Sequence, residues 1–378
     1  MKVIVVGGGM SGWMTTLWLK TKYPKYKITV LESKNIGTIG VGEGTTPHFI
    51  SFLNKVGISV NHFISNVNST TKIGINFKEW NNVRGSYYHD FNILGSNAIG
   101  LHFDSQEALA YISDYAKTKD ITHIIDEVKN HDLSKYDFIF DCTGINRLIL
   151  KQNWVDCKKY LPFNSALPFT LPPIGKNRTQ SISTDIGWIW QIPLSNKTGC
   201  GLVYNNKLHT ESEVKHSIQS LYPDAIFKKH SINFNPGYQK EVWVDNCIAV
   251  GLSSGFFEPI EATSLMTTYL MLERLPIELN NKHKALYNKS IKDLNEQVML
   301  FIRYHYVTDK KDGVWGEINK LPLPIKLKEI TNNNKINVFN NNKLSNILKL
   351  NTDDLIFRIE QYHLLSNNNF TPESKYLI

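Results

Sequence analysis

Cysteine is scarce in this 378-residue chain and nowhere clustered. Cys142, Cys157, Cys200 and Cys247 include no Cys-x-x-Cys pair, so neither a zinc cluster nor a secreted disulfide framework is expected, and a reducing cytoplasm fits best. No metal site is expected: His48, His89 and His102 lack ligand spacing and read as hydrogen-bonded or solvent-facing side chains. Long apolar runs are missing too. The start, Met1-Lys2-Val3-Ile4-Val5-Val6, is too short for a signal peptide, and no stretch reaches the roughly 18 apolar residues of a membrane span. Arginine occurs only at Arg84, Arg147, Arg178, Arg274, Arg303 and Arg358, so the net charge of +8 comes from lysine. Asparagine is enriched alongside it, as at Asn332 to Asn334 and Asn340 to Asn342. With no compact basic block, nucleic acid is not an expected partner. Nor does a second Gly-x-Gly-x-x-Gly follow a strand, which leaves no evident NAD(P)H site.

What is present suits a large globular enzyme: 42% of residues are apolar and 20% charged, enough for one extended core. Residues 3–6 read as a buried parallel strand running into Gly7-Gly8-Gly9-Met10-Ser11-Gly12, followed by a helix over 13–20 and a second strand over 28–31 that ends at Glu32. Gly7-x-Gly9-x-x-Gly12 in that βαβ setting provides a tight turn, close approach to a pyrophosphate and close helix packing, with Glu32 placed for ribose hydroxyls. A glycine-rich segment follows over 39–47, then a helix over 48–56 closed by Gly57. A helix over 108–117 and strands over 121–128 and 138–140 come next. From 161 to 204 the chain turns rich in Pro, Thr and aromatics, with strands over 181–184, 187–192 and 201–204 that should form an antiparallel sheet. Residues 247–250 return to the parallel sheet, and a loop from Gly251 precedes helices over 261–273 and 283–307. That late return favours FAD over NAD. Residues 331–343 read as loop, and the last thirty or so as a peripheral appendage.

The expected fold class is therefore α/β: an FAD-binding, Rossmann-like parallel sheet with an inserted antiparallel β-sheet and a mostly helical carboxy-terminal region. The core should occupy 1–315. Its FAD-binding part is discontinuous, about 1–150 and 243–275, the antiparallel sheet covers about 160–242, and 316–378 forms an appendage.

Several segments together resemble one family, the flavin-dependent halogenases of the tryptophan halogenase group. They are Val5-Val6-Gly7-Gly8-Gly9-Met10-Ser11-Gly12-Trp13-Met14, Glu32-Ser33, Ile39-Gly40-Val41-Gly42-Glu43-Gly44-Thr45, and Lys72-Ile73-Gly74-Ile75-Asn76-Phe77 with Trp80. Asp141-Cys142-Thr143-Gly144, Gly187-Trp188-Ile189-Trp190-Gln191-Ile192-Pro193-Leu194 and the stretch from Trp243 to Ser264 complete the set. The Trp-x-Trp-x-Ile-Pro block is the most specific.

The resemblance implies that reduced FAD and O2 oxidise a halide to hypohalous acid, which reaches Lys72 beside an organic substrate. There an ammonium polarises the halogen, or a neutral amine carries it, and the sequence leaves both open. Glu261 matches the second catalytic residue, orienting the electrophile or taking the ring proton; its ordinary reading is an acid in a first helical turn. The halide is implied at the N–H groups of Thr263 and Ser264. FAD contacts are implied at Gly7, Gly8, Gly9, Ser11, Gly12, Glu32, Ser33, Val41, Gly42, Glu43, Val128, Gly251, Leu252 and Leu265. Trp188, Trp190, Ile192 and Pro193 would shield the flavin from the substrate, although alternate aromatics on a strand also simply fill a core.

The chain departs from the family in being short. Only a brief Gly/Asn-containing link joins Phe91 to His102, and no tryptophan follows Trp315. The expected substrate is thus an aromatic small molecule or carrier-bound group other than free tryptophan. A separate flavin reductase is the expected partner, no membrane partner is expected, and a homodimer is left open. Two rival readings remain at this point: a flavin monooxygenase, with no need of Lys72, and a catalytically silent FAD-binding protein.

Overall fold

The computed structural model describes residues 1–37, 42–80, 86–91, 98–151, 153–308 and 310–328. Expectations for Val41, for the link at 92–97 and for the chain beyond 328 lie outside the described residues.

Strand Lys2–Val6 is buried from Val3 onward, because β-branched side chains fill both faces of a parallel sheet covered on each side. It lies between Lys27–Glu32 and Phe138–Asp141 in a six-stranded sheet. Cys247–Ala249 and Thr122–Ile125 extend it as further parallel strands, and Trp243–Val244 adds an antiparallel edge. The chain leaves the first strand towards one neighbour and returns on the other side. That reversal opens a crevice at the carboxyl ends, where α/β sheets of this kind bind ligands. Helix Met10–Lys22 is buried through Trp13, Met14, Leu17 and Leu19 and packs against helices Ser105–Lys117 and Thr263–Glu273.

The second sheet has seven strands, in the order Ile232–Asn233, Ser165–Leu171, Thr198–Tyr204, Gly187–Pro193, Arg178–Thr184, Gly74–Lys78 and Ser86–Asp90. The antiparallel sheet expected over about 160–242 is therefore larger and mixed. Gly74–Lys78 joins it in parallel, with Arg178 opposite Gly74 and Gln180 opposite Asn76. Such pairing across about a hundred residues leaves no local turn signal in the sequence. A small antiparallel sheet sets Gly100–Phe103 between Glu43–Gly44 and Thr70–Lys72.

Several boundaries differ from expectation, such as helix Ser105–Lys117 and strands Arg178–Thr184 and Thr198–Tyr204, which begin three residues early, and two bear on the site. The strand expected over 121–128 stops at Ile125, and Val128 begins a short 3-10 turn. The helix expected from 261 begins at Thr263, because Glu261 and Ala262 hold left-handed backbone at φ +63° and +56°. Helices Lys284–Tyr304 and Val314–Ile318 complete the described carboxy-terminal part.

Candidate active site

The glycine turn is built by exclusion. A Cβ at Gly12 would lie 1.8 Å from the Gly7 carbonyl oxygen, and one at Gly7, whose φ is +121°, would lie 2.2 Å from that of Cys142. Gly9 caps helix Met10–Lys22 without a side-chain hydrogen bond and faces open space. Among the described residues no side chain caps these first-turn N–H groups, which suits a pyrophosphate. Glu32 folds against Gly8, where a Cβ would stand 2.5 Å from its Oε1, and its Oε2 is hydrogen-bonded to His123 Nε2 at 2.9 Å. Ser33 donates to Glu127 Oε1 at 2.5 Å, next to the half-buried Val128. Gly251, at φ +70°, would carry a Cβ 2.2 Å from Ser11 Oγ, so the turn holding Leu252 lies directly over the start of the helix. Thr268 Oγ1 approaches Ser11 Oγ at 3.5 Å on the same helix as Leu265. An open, uncapped helix start with an acid beside it and a second glycine turn above it fits FAD.

Gly42, at φ +138°, places its Cβ direction 3.6 Å from Ile192 and 3.5 Å from Leu194, while Glu43 pairs opposite Phe103. Thr70 donates to the Pro193 carbonyl at 2.8 Å. These contacts join the glycine-rich segment and the strand leading to Lys72 onto the end of Gly187–Pro193.

Lys72 is fully buried, and its Nζ has no hydrogen-bond partner among the described residues. The ammonium sits 5.3 Å from the centre of the Phe91 ring, a weak cation–π partner. Burial pushes its pKa down to about 8, opposed by the charge of Glu261. Gly44 keeps the space beside it clear: a Cβ there would stand 3.2 Å from both Lys72 Nζ and Thr179 Oγ1, and 3.3 Å from the His102 ring. His102 is hydrogen-bonded to Thr179 at 2.9 Å, and burial together with Lys72 holds its imidazole neutral. An amine that exchanges its proton near neutral pH is the species able to act as polarising cation or as nucleophile.

Glu261 is buried and precedes helix Thr263–Glu273 rather than sitting in its first turn. Its Oε2 meets His89 Nδ1 at 2.7 Å and its Oε1 meets His305 Nε2 at 3.0 Å. Burial opposes ionisation, yet the two histidines hold the carboxyl well below the usual range. Thr263 and Ser264 follow at the start of helix Thr263–Glu273, which Ala262 caps without a side-chain bond. The structure thus brings Lys72 and Glu261 close enough for their charges to interact, and adds His89 and His305 to them. His305 had no sequence signal of its own, lying 44 positions from Glu261. His89 and Glu261 were each visible in the sequence, but their pairing was not.

An aromatic wall adjoins this group. Trp188 is buried with its ring centre 5.9 Å from that of Trp80 and 6.3 Å from that of Trp190. Trp190 lies on Gly201, where a Cβ would fall 2.1 Å from its ring. Behind the wall, Tyr306 donates its hydroxyl to Glu258 Oε2. Burial pushes the Glu258 carboxyl up to about 8.

A parallel sheet with an uncapped glycine turn, and a buried lysine and acid beyond it, define a Rossmann-like FAD-binding oxidoreductase fold. The sequence model of the tryptophan halogenase family matches residues 2–106 and 96–365. The chain belongs to that family, and is an enzyme of the flavin-dependent halogenase class. Among curated relatives, the 7-chloro-L-tryptophan 6-halogenase of Kutzneria sp. (strain 744) is 25% identical over 433 residues, spanning 86% of this chain and 83% of its own. The tryptophan 7-halogenase of Lentzea aerocolonigenes is 24% identical over 416 residues, with 84% and 78% covered. Among solved structures, the tryptophan 6-halogenase of Streptomyces toxytricini superposes with a TM-score of 0.85 at 22% identity, covering 96% of this chain and 90% of that one. The likeness in coordinates is one of fold.

Proposed function

We propose that this enzyme is an FADH2- and O2-dependent halogenase that delivers hypohalous acid through Lys72 to an electron-rich aromatic substrate other than free tryptophan. When bound, reduced FAD would supply the two electrons that let O2 act as the oxidant of the halide, giving hypohalous acid with water as the co-product. Gly7, Gly8, Gly9, Ser11 and Gly12 would hold its pyrophosphate, Glu32 its ribose, and Gly42, Glu43, Gly251, Leu252 and Leu265 the rest, with the halide at Thr263 and Ser264. Trp188, Trp190, Ile192 and Pro193 would keep the organic substrate off the flavin and so suppress direct hydroxylation.

The observation that carries this reading is the Lys72 ammonium, fully buried and without a hydrogen-bond partner among the described residues. A buried cation without a hydrogen bond costs stability, which makes a structural role a poor account of it and a reacting partner a good one. The substrate reading rests on the short link between Phe91 and His102. The missing NAD(P)H motif supports a separate flavin reductase as partner. Four buried, free thiols agree with a cytoplasmic setting, and no helix of the described residues is long and apolar enough to cross a membrane.

The test supplies reduced FAD, oxygen and bromide with a reactive phenol, comparing the parent enzyme with Lys72→Ala. Brominated product from the parent and its loss from the variant is the expected result. Equal rate and selectivity from both would assign the reaction to free hypobromous acid and remove Lys72 from it. Gain of oxygen instead of halogen would make the protein a monooxygenase. A free-tryptophan control tests the substrate reading.

A further inference from the structure

The two histidines on Glu261 come from elements far apart in the fold. His89 lies on strand Ser86–Asp90, at the edge of the second sheet, and His305 directly follows helix Lys284–Tyr304. His305 Nδ1 is 2.9 Å from the Phe301 carbonyl oxygen, an atom that only accepts. Nδ1 therefore carries a hydrogen, and Nε2 is left facing a second acceptor, Glu261 Oε1. A hydrogen bond at that contact needs one further proton, shared by ring and carboxyl. Trp80 Nε1 donates to the His305 carbonyl at 2.6 Å, and the left-handed backbone at Glu261 and Ala262 fixes the acid from its own side.

Apolar rings enclose the arrangement. Phe301 packs edge-on to the His305 ring at 4.7 Å and to the His89 ring at 6.4 Å, with Phe77 5.1 Å from His305 and Phe91 5.9 Å from His89. Among the described residues, the ionisable groups bearing on Glu261 include His89, His305 and Lys72. In so dry a setting hydrogen bonds and charges act more strongly than in water.

We propose that His89 and His305 are positioning residues that clamp Glu261 as an immobile anion for Lys72, so that Glu261 supplies a fixed charge and is not the base that collects the substrate's ring proton. This deepens the function proposed above and rests on it for the identity of the reaction. A general base works best with a pKa near the working pH and freedom to reach the proton. Glu261 has neither, because each oxygen is already within hydrogen-bond distance of an imidazole nitrogen and the carboxyl cannot turn without breaking one of those contacts. A fixed anion beside a buried amine favours its protonated form, which is the service Lys72 needs.

The test is read without turnover. Isotope-edited infrared spectra of protein labelled in its glutamate carboxyls, with Glu261→Gln to identify the band, should show an ionised Glu261 throughout about pH 5 to 9 in the parent. In His305→Gln and His89→Gln the band should convert to the protonated form within that window. The Lys72 titration, followed by NMR of lysine labelled with 15N at Nζ and assigned with Lys72→Met, should then shift downward, because the charge that supports the ammonium is gone. A protonated Glu261 in the parent at neutral pH overturns the proposal, and so do variants with both the band and the lysine titration unmoved. Should a variant fail to fold, the parent spectrum alone decides. Absence of halogenated product from the parent would refute the proposed reaction while leaving this readout intact.

Discussion

Trp80 donates its indole N–H to the main-chain carbonyl of His305 across 225 residues of sequence, at 2.6 Å. The same ring packs edge-on against Trp188 at 5.9 Å and Trp315 at 5.1 Å. One side chain thus ties the aromatic wall to the histidine that holds Glu261.

Trp80→Phe keeps most of the packing and removes the donor to the His305 carbonyl. The expected cost is about 0.5–1.5 kcal/mol in stability, that of one hydrogen bond, measured by urea denaturation. Product formation should fall by more than this loss of folded protein explains, since His305 is freed to shift, while FAD affinity, read by flavin fluorescence, stays unchanged. Weakened FAD binding with normal turnover would refute the coupling.

What the sequence made legible follows one rule, that contacts within a short segment leave a pattern and contacts between distant ones do not. The strand, glycine turn, helix and acid at 3–32 form one continuous unit, so their arrangement could be read. The Trp188 and Trp190 pair likewise announces one face of a strand. His305 is brought to the site by helix packing and is an ordinary residue in its own neighbourhood, while Trp80 and Glu258 lie in segments that could be read but their bonds to His305 and Tyr306 could not. The start of helix Thr263–Glu273 was misjudged because left-handed backbone at Glu261 and Ala262 is imposed by tertiary contacts, against local preference.

Glu258 offers a contrast with Glu261 three residues away. Burial raises its carboxyl to about 8, although the Tyr306 hydroxyl bond opposes the shift, so it is neutral at pH 7. With its folded pKa above the unfolded one, the folded state binds more protons through that interval, and the stability it contributes is lost as pH rises from about 4.5 to 8. Glu258→Gln should sit within about 1 kcal/mol of the parent at pH 5 and overtake it progressively towards pH 8. Denaturation midpoints at a series of pH values check this. Parallel curves for the two proteins would mean that Glu258 is ionised throughout.

Gly201 carries the ring of Trp190. An added Cβ would lie 2.1 Å from that ring, so Gly201→Ala must push Trp190 aside. The expected penalty is about 1–3 kcal/mol for overpacking. If Trp190 shields the flavin, the displaced ring should also raise the share of hydroxylated over halogenated phenol product, read by mass spectrometry. An unchanged product ratio would reduce Trp190 to a core side chain.

Lys72 yields a prediction that needs no substrate. Its pKa falls from 10.5 to about 8 through burial, against the pull of Glu261. Between those values the unfolded chain holds the proton and the folded chain has released it, so stability should rise with pH across that window. Below about 8 the cost of burying the charge is present in full, roughly 3 kcal/mol at most. Lys72→Met fills similar space without the charge, and should be more stable than the parent at pH 7 by up to that amount, the difference closing as pH approaches 10.5. Thermal unfolding at pH 7 and pH 10 compares them. A variant less stable than the parent at pH 7 would show that Lys72 is held by a favourable ion pair, and would turn the buried cation from a reacting group into a structural one.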